Sequence, residues 1–145
     1  MTQAEVDEWF ESGRQDLDLA RLLIAQEVYL NAAVFHLQQA VEKYLKGYLL
    51  SRGWALVKTH DIELLINTAK DYDPEFKVYL DLGRFLTDAY LGERYPPTRA
   101  SNFSTDEVQQ FESDATNLVD LIFSKTESTD EQDESATTIP ENDEE

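Results

Sequence analysis

The chain has no cysteine and only two histidines, His36 and His60. Without cysteine there is no disulfide framework, no thiol nucleophile and no zinc site of the cysteine type. Two histidines make a histidine-rich metal centre improbable, so neither a metal nor a cofactor is expected. Also missing is any apolar run near the ~20 residues that a membrane span requires. The opening residues, MTQAEVDEWFES, are acidic and lack the basic start and apolar stretch of a signal peptide. A cytoplasmic protein with no membrane association is the expectation. Basic residues are scarce as well, with 12 Lys and Arg against 30 Asp and Glu and a net charge of -18. That balance argues against strong non-specific binding to DNA or RNA, which needs a basic surface.

The charge is unevenly spread. Residues 126–145, TESTDEQDESATTIPENDEE, hold nine acids and no base, half of the net charge. Few apolar residues and high charge predict a disordered acidic tail there. The remaining 125 residues have the size of one domain, and 41% hydrophobic content over the whole chain suffices for a single core.

Within residues 1–125 the apolar spacing is helical throughout. Thr2 and Glu5 form a capping box, and Val6, Phe10, Gly13, Leu17, Ala20 and Ile24 follow at steps of three and four, predicting a helix over 3–26. A short connection follows, with Asn31 as the N-cap of a second, antiparallel helix ending near Leu50, where Gly53 suits a C-terminal cap. Thr59 is placed to cap a third helix carrying Ile62, Leu65, Ile66 and Ala69. Asp73-Pro74-Glu75 starts a fourth, with a stripe from Phe76 to Tyr90, and Gly92 is read as its end. Glu93 to Phe103 reads as an extended loop. Ser104 and Glu107 form a second capping box that opens a fifth helix carrying Val108, Phe111, Ala115, Leu118 and Ile122. No alternating pattern of useful length suggests a strand. The fold class is therefore all-α, an up-and-down bundle of about five helices over 1–125.

The second helix carries two faces. Ala33, Leu37, Ala40, Val41, Tyr44 and Tyr48 form an apolar stripe, while His36, Gln39, Lys43 and Lys46 step along another side. From Val28 to His60 the chain holds Lys43, Lys46, Arg52 and Lys58 against Glu42 alone, a local charge of +3. His60 lies beside Asp61 at a helix start, where an imidazole can give or take a proton near neutral pH. In Arg94-Tyr95-Pro96 the guanidinium fork suits phosphate and the phenol ring can stack on a base. Each has an ordinary reading too: a solvated helix face for the lysines, a loop-closing hydrogen bond for His60, a helix-ending turn for Arg94.

Taken together, Gln38-Gln39-Ala40-Val41-Glu42-Lys43-Tyr44-Leu45-Lys46, Thr59-His60-Asp61-Ile62, Asp88-Ala89-Tyr90 and Arg94-Tyr95-Pro96 resemble the HEPN domain, the higher eukaryotes and prokaryotes nucleotide-binding domain, in its stand-alone prokaryotic type. The resemblance runs from about Ala4 to Lys125. It implies a helical module binding a nucleotide or other phosphate-bearing ligand, with Gln39, Lys43, Lys46, His60, Asp61, Arg94 and Tyr95 as the ligand-binding residues. A homodimer and a separate minimal nucleotidyltransferase partner are implied in the same way. The family also includes metal-independent endoribonucleases of the toxin type, whose mark is an arginine, four to six residues, then a histidine. Here no histidine follows Arg94 or Arg99, and Arg52 precedes His60 by seven intervening residues. The expectation therefore leans to a non-catalytic binder. Two alternatives stand beside it: a ribonuclease using His60 and Arg94, and a structural adaptor with no small-molecule ligand.

Overall fold

The computed structural model describes the backbone of residues 2–94 and 103–144, and the side chains of these residues except 89–94 and 127–144. Five α-helices form an all-α bundle: α1 Gln3–Gln26, α2 Leu30–Ser51, α3 Ile62–Tyr72, α4 Leu80–Arg94 and α5 Thr105–Glu144. A short 3-10 helix, Pro74–Tyr79, joins α3 to α4. Among the described residues there is no strand, and no helix is long and apolar enough to cross a membrane.

All six residues of the α1 stripe are buried, and the Thr2–Glu5 capping box forms in both directions. Rising along α1 meets falling along α2, which makes the two an antiparallel hairpin. Phe10 lies against Gly47, Gly13 against Tyr44, and Asp16 against Lys43 and His36. The fit at the crossing is close, since a Cβ on Gly47 would stand 2.6 Å from the Phe10 ring. Helix α2 is the hub, packed against α1, α3, α4 and α5. Phe123 of α5 completes an aromatic cluster with Phe10 and Tyr44, at centroid distances of 5.6 and 5.7 Å.

Four element boundaries differ from the sequence expectation. Helix α2 starts at Leu30, and its N-cap is Tyr29 in the left-handed region (φ 49°), with no side-chain cap. The chain reverses here through two left-handed residues, Glu27 and Tyr29, and this tight turn leaves Asn31 already inside the helix. Asp61, not Thr59, caps α3 by accepting from Leu64 N, while the Thr59 hydroxyl accepts from Asp61 N one step earlier. Asp73-Pro74 does begin an element, but proline opens a 3-10 turn there, and Gly92 is carried inside α4, which ends at Arg94. The Ser104–Glu107 capping box opens α5 as its spacing predicts. Where the sequence predicts a disordered tail from 126, the α5 backbone is helical to Glu144, and its side chains past Thr126 lie outside the described residues.

Lys125 ties the last packed turn of α5 back to the α3–α4 junction. Its ammonium lies 2.8 Å from Asp73 and 2.7 Å from Glu75. The hydrogen bond to Asp73, reinforced by the Glu75 backbone N–H, holds the Asp73 carboxyl below its usual range and raises Lys125.

Candidate functional site

Two carboxylates organise the polar side of α2, and each holds one ammonium and one imidazole. Asp16 of α1 accepts from Lys43 Nζ at 2.6 Å and meets His36 Nδ1 at 2.9 Å. Glu42 accepts from Lys46 Nζ at 3.1 Å and meets His60 Nδ1 at 2.9 Å. The four polar residues that the spacing groups on α2 therefore do not form an unopposed basic face. Lys43 and Lys46 are matched by acids, one of them from the neighbouring helix. Lys46 is also buried, with its ammonium 5.6 Å from the centre of the Trp9 ring, an arrangement in which the ring face attracts the cation. Gln39 stays half-buried on the same side.

The Glu42 group differs from the Asp16 group in depth. The side chains of Glu42 and Lys46 are 5% and 6% exposed, whereas that of His60 is 53% exposed. A charge this far from water is costly to keep unless it is paired and hydrogen-bonded. Here the carboxylate uses both oxygens, one inward to Lys46 and one outward to the imidazole. With Nδ1–H directed at Glu42, neutral His60 carries its acceptor lone pair on Nε2.

His60 is positioned from three sides. Glu42 holds its ring from α2, and Asp61 follows it as the cap of α3. From α4, the Thr87 hydroxyl accepts from both Ile62 N, at 3.0 Å, and Glu63 N, at 3.3 Å. Two first-turn N–H groups of α3, which have no partner within their own helix, are thus satisfied by a neighbouring helix. The contact pins α4 beside the start of α3. Arg94 ends α4 seven residues further on, about 10 Å along the axis at 1.5 Å per residue. The Arg94 side chain and all of Tyr95 lie outside the described residues, so His60, Asp61, Lys43, Lys46 and Gln39 are the predicted site residues whose side chains are placed.

Sequence reading passes over three residues here. Glu42 enters it as a charge and as one member of the Gln38–Lys46 stretch, with no role of its own, yet it is the acceptor that joins Lys46 to His60. Thr87 has no local signal, because its partners are 24 and 25 residues away. Gln38 sits fully buried, and neither its amide nitrogen nor its amide oxygen has a hydrogen-bond partner. An unpaired buried amide costs roughly 1–3 kcal/mol. The available signal is its spacing, since Gln38 falls four residues after Val34 and seven before Leu45, both in the core.

Among the described residues, no group of three or more His, Cys, Asp or Glu is arranged to hold a metal ion. A shallow groove of about 350 Å³ opens at the start of α2, lined by Tyr29 to Ala32 and Phe103, and another of about 270 Å³ lies beside Glu8, Trp9 and Ser12.

The five-helix bundle belongs to a known class. The HEPN domain family matches residues 6–126, and the chain belongs to that family. Two solved structures share its fold. TT1696 from Thermus thermophilus superposes with a TM-score of 0.68 at 25% identity, covering 83% of this chain and 97% of its own. ST0689, an archaeal HEPN homologue, superposes with a TM-score of 0.63 at 22% identity, covering 86% of this chain and 98% of its own. No curated protein matches the chain.

Proposed function

We propose that this chain is a binding module for a nucleotide or another phosphate-bearing ligand, and that it acts without catalysing a reaction on it. The observation that carries the reading is the Glu42 group. A carboxylate buried at a cost in solvation holds an exposed imidazole at the start of α3, beside the helix that ends in Arg94. Core packing alone has no use for that arrangement. Each of the two carboxylates is shared by two nitrogen bases, so an arriving phosphate can take one base while the other keeps its acid neutralised. Lys43, Lys46 and Gln39 supply α2's contribution, His60 and Asp61 that of the α3 start, and Arg94 with Tyr95 that of the α4 end. Family membership adds support for a nucleotide-related role. The same reading includes a cytoplasmic homodimer that works with a separate minimal nucleotidyltransferase.

Titration calorimetry with nucleoside monophosphates and short RNA tests this. Arg94→Ala and His60→Ala are expected to weaken binding at least tenfold with the melting temperature kept. Unchanged affinity in both variants, or no binding by the native chain, points instead to a structural adaptor.

One observation favours an enzyme as the second reading. Glu42 orients His60 as a carboxylate orients the imidazole of a general base, with Nδ1 engaged and Nε2 as the proton acceptor. In such a ribonuclease, His60 takes the proton of a ribose 2'-hydroxyl as that oxygen attacks the adjacent phosphorus. The bond from phosphorus to the 5'-oxygen breaks to leave a 2',3'-cyclic phosphate, and the departing 5'-oxygen takes its proton from water or the imidazolium. Arg94 stabilises the charge on the phosphate oxygens. Incubating labelled RNA with the protein in excess chelator decides between them. Cleavage lost in both His60→Ala and Arg94→Ala establishes the enzyme, and intact RNA at high protein concentration leaves the binder.

A further inference from the structure

Six acids lie on α1, and five of them accept a hydrogen bond: Glu5 from Thr2, Asp7 from Gln3, Glu11 and Asp18 from Arg14, and Asp16 from Lys43. The sixth, Glu8, has no side-chain hydrogen bond or ion pair among the described residues, and neither does Ser12 one turn further on. Glu8, Trp9 and Ser12 are neighbours on the helix surface, and together they line the open groove of about 270 Å³. A drug-sized ligand takes about 300–1,000 Å³, so this groove suits a single planar ring system. The Lys46 ammonium lies 5.6 Å from the centre of the Trp9 ring and is buried, so it covers the inner side of the indole and leaves the outer side to the groove. From Lys46 the contacts continue to Glu42 at 3.1 Å and on to the exposed His60 at 2.9 Å. Groove and imidazole are therefore the two ends of one row of side chains across α2, within the reach of one or two nucleotides.

We propose that the Trp9 groove is a guanine-binding subsite of the nucleotide site. The inference rests on the phosphate-binding role of His60 given above and names the base that accompanies the phosphate. The indole supplies a stacking face, which accepts any base. Selectivity comes from Glu8 and Ser12. An ionised carboxylate only accepts hydrogen bonds, through two oxygens side by side. Guanine is the one common RNA base with two donors side by side on its pairing edge, N1–H and the N2 amino group, and the acceptor O6 lies next to them. Glu8 accepts from both donors, and the Ser12 hydroxyl donates to O6. Adenine and cytosine set one donor beside an acceptor on that edge, and uracil sets one donor between two acceptors. Each of these turns a lone pair toward the carboxylate and leaves it short of a partner.

The test titrates the full chain with GMP, AMP, CMP, UMP and ribose 5-phosphate by calorimetry. The same titrations follow tryptophan fluorescence in Trp54→Phe, where Trp9 is the one tryptophan left. GMP is expected to quench Trp9 and to bind about tenfold or more tightly than the other three nucleotides. Glu8→Gln, at an exposed position, is expected to keep the melting temperature and to bring GMP down to the level of AMP. Trp9→Leu, which keeps an apolar side chain over Lys46, is expected to weaken all four nucleotides about tenfold and to leave ribose 5-phosphate unaffected. Equal affinity for the four nucleotides, or a GMP preference kept in Glu8→Gln, overturns the guanine assignment. Nucleotides that bind no tighter than ribose 5-phosphate and leave Trp9 fluorescence unchanged overturn the base subsite, with the phosphate site still standing. If neither nucleotides nor ribose 5-phosphate bind the native chain, both sites fall together.

Discussion

Glu42 and Lys46 lie one turn apart on α2 and meet at 3.1 Å with both side chains almost wholly out of water. Removing one partner of such a pair strands the other. Glu42→Leu is expected to cost about 3–5 kcal/mol, because it takes the carboxylate partner from a buried ammonium and leaves it against the Trp9 ring. Glu42→Leu with Lys46→Met together should recover most of that loss, since apolar replacements of similar volume need no desolvation. Urea unfolding of the two single variants and the double variant measures the coupling. A double variant no more stable than Glu42→Leu would show that the cost lies in packing rather than charge.

Gly47→Ala tests the α1–α2 crossing. A Cβ there meets Phe10 ring carbons at 2.6 and 2.8 Å. Overpacking of this kind costs about 1–3 kcal/mol, and alanine's better helix propensity returns about 1 kcal/mol. A net loss on the order of 1 kcal/mol is expected in thermal melts. A gain would mean that the Phe10 ring moves aside freely.

Thr87→Val removes the hydroxyl that serves the α3 start and keeps the shape of the side chain. Loss of a cap costs about 1 kcal/mol. Amide exchange at Ile62 and Glu63 should speed up, and ligand affinity should fall because His60 loses its fixed base. Unaltered exchange at both amides would mean that water replaces the hydroxyl without loss.

Asp73 carries the acid sensitivity of the bundle's far end. Its carboxyl is held low first by the Lys125 hydrogen bond and then by the Glu75 backbone N–H. A depressed folded value means the unfolded chain binds protons first as pH falls. The stabilisation is therefore whole above the unfolded value of about 3.9 and disappears as pH drops through the lower folded value. Urea midpoints measured from pH 6 down to pH 2 should decline more steeply for the native chain than for Lys125→Met. Parallel curves would count against the clamp.

The helices are legible because burial and spacing coincide: each residue of the predicted α1 stripe is in the core, and both predicted capping boxes form. Lys46 shows the limit of that logic. A step of three groups it with Lys43, yet Trp9 of α1 lies over the Lys46 ammonium while Lys43 reaches across to Asp16. Helical spacing places a residue on a side of its own helix, and the neighbouring elements decide whether that side meets water. Charge counting also mistakes matched ions for a basic surface, because Asp16, the acid that answers Lys43 and His36, is 27 and 20 residues distant. Asn31 fails as a cap for a different reason. The left-handed turn at Glu27 and Tyr29 advances the helix start by two residues, and no local side chain announces it.

Lys125 bonds to a residue 50 positions earlier and is among the last packed side chains of the bundle. It works as a buckle on a belt: the α1–α2 hairpin can assemble from near neighbours, whereas this contact must wait until α3, α4 and α5 have all been brought round. Opening should start at the same place. The chain beyond the buckle can then carry a fused tag or a fluorophore with little effect on the helices it fastens.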